Sequence, residues 1–159
     1  GCELLARVVS SRRLRKLSAR ANVIGDKGCA VLAECARCLD LSATSLGGEV
    51  LSNLGGQPLE SLELFSNPAL GPSVATWCAE LKTDQWQDLE YLDLSGCCLK
   101  DAGFSCLCSR LKDTPALMPS LSFLCLGAND IAEDEAMASL VEKLQESRDG
   151  RLRVVWQNS

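Results

Sequence analysis

The stretch Leu89-Glu-Tyr-Leu92-Asp-Leu94-Ser-Gly-Cys97-Cys-Leu99 returns further on as Leu121-Ser-Phe-Leu124-Cys-Leu126-Gly-Ala-Asn129-Asp-Ile131. Looser copies precede them: Leu14, Leu17, Ala19, Asn22 and Ile24; then Ala36, Leu39, Leu41, Thr44 and Leu46; then Leu59, Leu62, Leu64, Asn67 and Leu70. A sixth copy opens at Leu152-Arg-Val-Val155. Starts at 14, 36, 59, 89, 121 and 152 give spacings of 22, 23, 30, 32 and 31 residues. Self-similarity of this kind constrains a fold more than composition does. Each copy is one supersecondary unit that cannot bury its apolar face alone, so neighbours must stack into a shared core.

Within a copy, Leu-x-Leu has period two and puts both leucines on one face of a short strand. A helical i, i+4, i+8 series follows, clearest as Gly28, Leu32, Ala36 and as Gly103, Leu107, Leu111. One unit is therefore strand, turn, helix and return loop. Leucine occurs 28 times in 159 residues, against 3 Phe, 3 Trp and 1 Tyr, so one aliphatic shape must fill the core. The Asn between strand and helix has a physical use. A small side chain with donor and acceptor can satisfy backbone groups that the sheet no longer pairs. Asn22, Asn67 and Asn129 suit that role, Cys97 substitutes for it, and Thr44 departs from it.

This pattern resembles the leucine-rich repeat family, and the Gly-x-x-x-Leu-x-x-x-Leu helix after the Asn resembles its ribonuclease-inhibitor-like subclass. The resemblance implies an α/β solenoid, a curved horseshoe segment with parallel strands on the concave face and helices on the convex face. It implies about five repeats plus a final strand near 152–156, in a single domain over 1–159; because uncapped repeats expose leucines, a longer chain or a larger assembly is expected to cover the ends. A helix of a preceding repeat is expected over residues 2–10, where Leu4, Leu5, Val8 and Val9 would act as a cap. The short second period predicts a brief helix near Gly48 to Leu54. Inserts at 82–88 and 112–119 are expected on the convex or edge side as candidate contact loops.

If the leucines point inward, the residues between them line the concave face. The central column is then Ser18, Asp40, Glu63, Asp93, Cys125 and Trp156. One flank reads Arg20, Ser42, Phe65, Ser95 and Gly127, the other Lys16, Cys38, Ser61, Tyr91, Phe123 and Val154. Acids on adjacent strands, about 4.8 Å apart, add their fields. Aromatic side chains commonly anchor interfaces. Asp40, Glu63, Phe65, Tyr91, Asp93, Phe123 and Trp156 are thus the candidate protein-binding residues, suited to a partner with a basic surface and apolar anchors. Two plainer readings stand beside this one: the acids keep an ordinary sheet soluble, and Trp156 caps the last repeat.

Other chemistry finds little support. The chain has no His, so the commonest general base and metal ligand is missing. No phosphate-binding Gly-rich loop follows a strand. Cys35 with Cys38 and Cys106 with Cys108 could be drawn as a four-thiolate zinc site, but Cys106 and Cys108 fall on a helical segment, and small buried hydrophobes are the favoured reading. Glu133, Asp134 and Glu135 sit where a helix begins, which suits the helix dipole better than calcium. No cofactor or metal is expected.

Ten cysteines scattered through apolar segments read as free thiols of an intracellular reducing compartment, the cytoplasm first and an organelle remaining open. No run approaches the length of a membrane span. The first twenty residues hold Arg7, Arg12, Arg13, Arg15, Lys16 and Arg20 against Glu3, while the whole chain is at -5, so a basic end precedes an acidic body. Nucleic acid is an unlikely partner for that balance. The leading expectation is a non-enzymatic protein-interaction module or scaffold subunit in a hetero-oligomeric assembly. Two alternatives follow from resemblance: a GTPase regulator similar to the Ran GTPase activators, and the ligand-sensing repeat end of an innate immune receptor.

Overall fold

The computed structural model describes Cys2, Glu3 and residues 13–157. The leucine pairs form short strands: β1 (Leu14–Ser18), β2 (Ala36–Asp40), β3 (Ser61–Glu63), β4 (Tyr91–Asp93), β5 (Phe123–Cys125) and β6 (Arg153–Val155). They make one parallel sheet in sequence order. Parallel neighbours need a crossover, and helices supply it. These are α1 (Gly25–Ala33), α2 (Val50–Leu54), α3 (Gly71–Glu80), α4 (Lys100–Asp113) and α5 (Glu135–Ser147). This is the leucine-rich repeat solenoid that the resemblance implies. The helix expected over residues 2–10 lies outside the described residues apart from Cys2 and Glu3, as do Arg7 and Arg12.

Leu39, Leu62, Leu92 and Leu124 stand in register on successive strands and are buried, as are Leu41, Leu64, Leu94 and Leu126 two residues on. Burying each such side chain contributes roughly 2 kcal/mol. The helices close the core from one side with Leu32, Val50, Val74, Phe104, Leu107 and Val141. The other side of the sheet is left open, which is the face expected to be concave.

The turns are held by amides. Asn129 Oδ1 accepts from the N–H groups of Cys97 (2.8 Å) and Leu99 (3.2 Å), while its Nδ2 donates to Leu94 O and Leu126 O, both at 2.9 Å. Asn67 does the same for Thr44, Leu46, Leu41 and Leu64. Each amide thus satisfies four buried backbone groups across two repeats. The single Cys97 S–H has Leu64 O (3.2 Å) and Ser95 O (3.6 Å) within reach, and Thr44 sends one hydroxyl bond to Leu41 O (2.6 Å). Asn22 is exposed, and among the described residues its amide donates to Ala19 O and Arg20 O.

The second repeat has the brief helix that its period allows, five residues long. Between the turn of one repeat and the helix of another the backbones nearly touch. A Cβ at Gly71 would collide with the carbonyl oxygens of Cys97 and Cys98. The inserts are less free than loops usually are. Trp86 is buried and meets Trp77 edge to face at 6.1 Å, and Leu117 and Met118 are buried as well. Arg148 ties the second insert down by donating to Leu111 O, Leu117 O and Met118 O at 2.7–3.1 Å.

One expectation is corrected. Leu124 pairs with Val154 and Cys125 with Val155, so the last period is one residue shorter than the Leu152 start implies. A slip of one residue in a strand moves every side chain to the opposite face. Val155 therefore ends the central column and Arg153 the flank. Trp156 turns toward the core instead, half-buried, its ring centroid 5.5 Å from that of Phe104.

Candidate protein-binding face

On the open face the registered column reads Ser18, Asp40, Glu63, Asp93, Cys125 and Val155. Asp40, Glu63 and Asp93 do stand side by side on adjacent strands. Their surroundings differ sharply, however. Asp40 is buried, with Oδ2 accepting from Ser18 Oγ at 2.9 Å and Oδ1 from Ser42 N at 3.0 Å. Burial pushes its carboxyl up, but hydrogen bonds from Ser42 and Ser18 and the nearby Arg20 charge outweigh that and hold it below the ordinary value. Glu63 is paired with Lys16, Oε1 to Nζ 3.4 Å, a half-exposed contact that contributes little to stability. Asp93 accepts on Oδ1 from the Ser95 N–H at 2.8 Å, and no other hydrogen bond to its carboxylate is found among the described residues.

The flank that begins at Lys16 runs through Cys38, Ser61 and Tyr91 to Phe123 and Arg153. Tyr91 and Phe123 stack with centroids 5.6 Å apart and planes 12° from parallel, and the Arg153 guanidinium lies 5.5 Å from the Phe123 centroid. The Tyr91 hydroxyl shares a 3.5 Å hydrogen bond with Cys125 Sγ. Burial, that bond and the charges of Asp93 and Glu63 push the phenol above its ordinary range. Burial also raises the Cys125 thiol, with Asp93 and Glu63 adding to the shift and Tyr91 opposing it. On the other flank Phe65 is 38% exposed, with Arg20 5.7 Å from its centroid.

Six of the seven candidate residues therefore share the open face, and Trp156 does not. Arg153 and Val155 belong there and were missed. The signal that finds them is a final period of 30, which sets Val154 against Leu124. Sequence reasoning also missed three arginines that cap helix ends through carbonyls far away in the chain. Arg13 donates to Ala33 O (2.6 Å) and Glu34 O (3.1 Å), Arg110 to Cys78 O and Leu81 O (both 3.2 Å), and Arg148 to the groups named above. Cations suit these carbonyl-rich ends.

All ten cysteines are free. Cys29, Cys97 and Cys108 are buried, and burial above all pushes their thiols up to about 12. They behave as small hydrophobes. Cys35 and Cys38 lie at β2 and Cys106 and Cys108 on α4, two repeats apart, so the stack separates the imagined zinc ligands. Asp134 caps α5 by accepting from Met137 N at 2.9 Å, as the helix-start reading requires. A groove of about 340 Å³ runs along the edge where the strands begin, lined by Arg13, Arg37, Glu60, Asp88 and Glu90, with Arg37 and Glu60 paired at 2.8 Å. No helix among the described residues is long and apolar enough to cross a membrane.

Known proteins align with this picture. The family profile described as Leucine Rich repeat matches residues 87–108, which hold β4, the turn after it and the first nine residues of α4. The human NACHT, LRR and PYD domains-containing protein 14 is 32% identical over 147 residues. That alignment covers 84% of this chain but 13% of the human protein, so the chain spans a small part of its relative's length.

Proposed function

Because the chain is built of leucine-rich repeats, we propose that it is a non-enzymatic protein-interaction module, or a scaffold subunit of a larger complex, that docks a protein partner on the open face of its sheet. One observation carries this: a single sheet face gathers acids, stacked rings and exposed Phe65 and Val155, with buried leucines in register behind them. Such a face offers charge complementarity and apolar anchors together. The partner suited to it has a basic surface. The helices after the Asn and Cys turns favour the ribonuclease-inhibitor-like subclass, and the free buried thiols favour an intracellular reducing compartment.

Affinity purification with identification of stoichiometric companions tests the reading. The double reversal Glu63→Lys and Asp93→Lys is expected to abolish that association while leaving the buried Asp40 intact. Association that survives it moves the contact to the inserts at 82–88 and 112–119. Failure to recover any stoichiometric companion under varied salt overturns the reading.

A second reading is favoured by the relative, whose name places an LRR beside NACHT and PYD domains. On that reading the chain is the ligand-sensing repeat end of a nucleotide-binding receptor. Sequencing the complete transcript decides it, since a nucleotide-binding domain upstream is required.

A further inference from the structure

Building on the docking reading above, we infer that the part of the open face between β3 and β6 seats one lysine or arginine side chain of an extended partner segment, with an apolar side chain of the same segment resting on Val155. The three acids are not equivalent hosts for a cation. Asp40 has both oxygens engaged and is buried. Glu63 gives one oxygen to Lys16, and Asp93 gives one to Ser95 N. The oxygens left over, Oε2 of Glu63 and Oδ2 of Asp93, belong to residues directly paired across β3 and β4.

An aromatic wall stands beside them. Phe123 covers one face of Tyr91, and on the other side the residue in register is Ser61, too small to cover the second face. A cation above Ser61 would meet two carboxylates and an open ring together. Arg153 already lies against Phe123 and Arg20 against Phe65, so rings on this face attract guanidinium groups. A guanidinium or ammonium held by a half-buried carboxylate and a ring is the charge complement of the site.

The spacing follows from the register. Ser61, beneath the cation, is on β3 and Val155 is on β6, three strands apart, which is about 14 Å at the usual strand separation. An extended chain advances about 3.3 Å per residue and alternates its side chains, so the basic and apolar side chains are four positions apart, on the same side of a segment lying across the strands. Cys125 sits between the two subsites, and half-buried Cys38 lies on β2 outside both. These thiols report separately on the two halves of the face.

The experiment selects phage-displayed random heptapeptides on the intact chain and synthesises the winners. They are then used as probes for affinity and for protection of Cys125 and Cys38 from iodoacetamide, read by mass spectrometry. The expected result is enrichment of a basic residue four positions from an apolar one, with Cys125 shielded and Cys38 not. Asp93→Asn, which keeps the Ser95 bond, should weaken the winners by about tenfold. Tyr91→Leu, which keeps an apolar body but removes the ring, should weaken them several-fold, both variants first being shown folded by circular dichroism. No enrichment, winners lacking the spaced pair, shielding of Cys38 in place of Cys125, or unchanged affinity in Asp93→Asn each overturns the inference. If stoichiometric companions are still lost on the double reversal in that case, the docking reading stands and only the seat is wrong.

Discussion

The two halves of the stack hold the same leucine ladder in different ways. From β1 to β3 the period is 22 or 23 residues, the intervening helices are nine and five residues long, and the open face is occupied with its own polar pairs: Ser18 with Asp40, Lys16 with Glu63. From β3 to β6 the period is 30 or 32, the helices have 10, 14 and 13 residues, and the extra chain carries buried anchors such as Trp86, Leu117 and Arg148. The added residues go into packing behind the sheet. The open face of this half keeps its stacked rings, an acid with one oxygen to spare and an exposed valine. Length and openness thus vary separately, because strand register is set by the leucines and the turns, while the return loops absorb the insertions.

If that contrast is right, the turn amides should be unequal. Asn129→Ala leaves four buried backbone groups without partners and is expected to cost about 5 kcal/mol in urea unfolding, whereas Asn22→Ala, on an exposed turn, should cost under about 1 kcal/mol. Equal losses would mean that both halves rely on the turn alike. Next in size, Trp86→Ala empties the wedge beneath the first insert and should cost about 4 kcal/mol by the same measurement. A loss near zero would show that the insert is a free loop.

Arg148→Met removes the donor to three carbonyls and should cost about 2 kcal/mol, while Arg13→Met, at a half-exposed helix end, should cost less than half of that. The smallest effect is in acid. Asp40 holds its proton more weakly when folded than in the unfolded chain, where the ordinary value is 3.8. Its stabilisation is therefore complete above that value and is lost as pH falls through it toward the lower folded value. Asp40→Asn should flatten the acid limb of stability against pH, and an unchanged limb would show that the carboxylate on the first half of the face is not the one engaged.

The sheet was legible because the two Leu-x-Leu copies at 92 and 124 carry period and register together, and strands obey both. The candidate face followed from alternation wherever the register was known. It failed at the last strand. Leu152 imitates the start of a copy and is indeed buried, but the pairing of Val154 with Leu124 shifts the frame by one and sends Trp156 inward. The inserts read as contact loops because they lengthen the repeat period, and nothing local shows that Trp86 wedges against Trp77. The arginine caps were hidden for a similar reason. Arg148 serves carbonyls 30 to 37 residues away, and no spacing rule within one repeat connects them.

The turn amides have a consequence for how such a chain can change its length. Four-armed Asn67 and Asn129 alternate with single-donor Thr44 and Cys97. Excising only the unit that contains Asn67 would set Thr44 against Cys97 and strand the N–H groups of Thr44 and Leu46, whereas removing two consecutive units preserves the alternation. Growth or loss of the array by genetic duplication is therefore tolerated most readily in even steps.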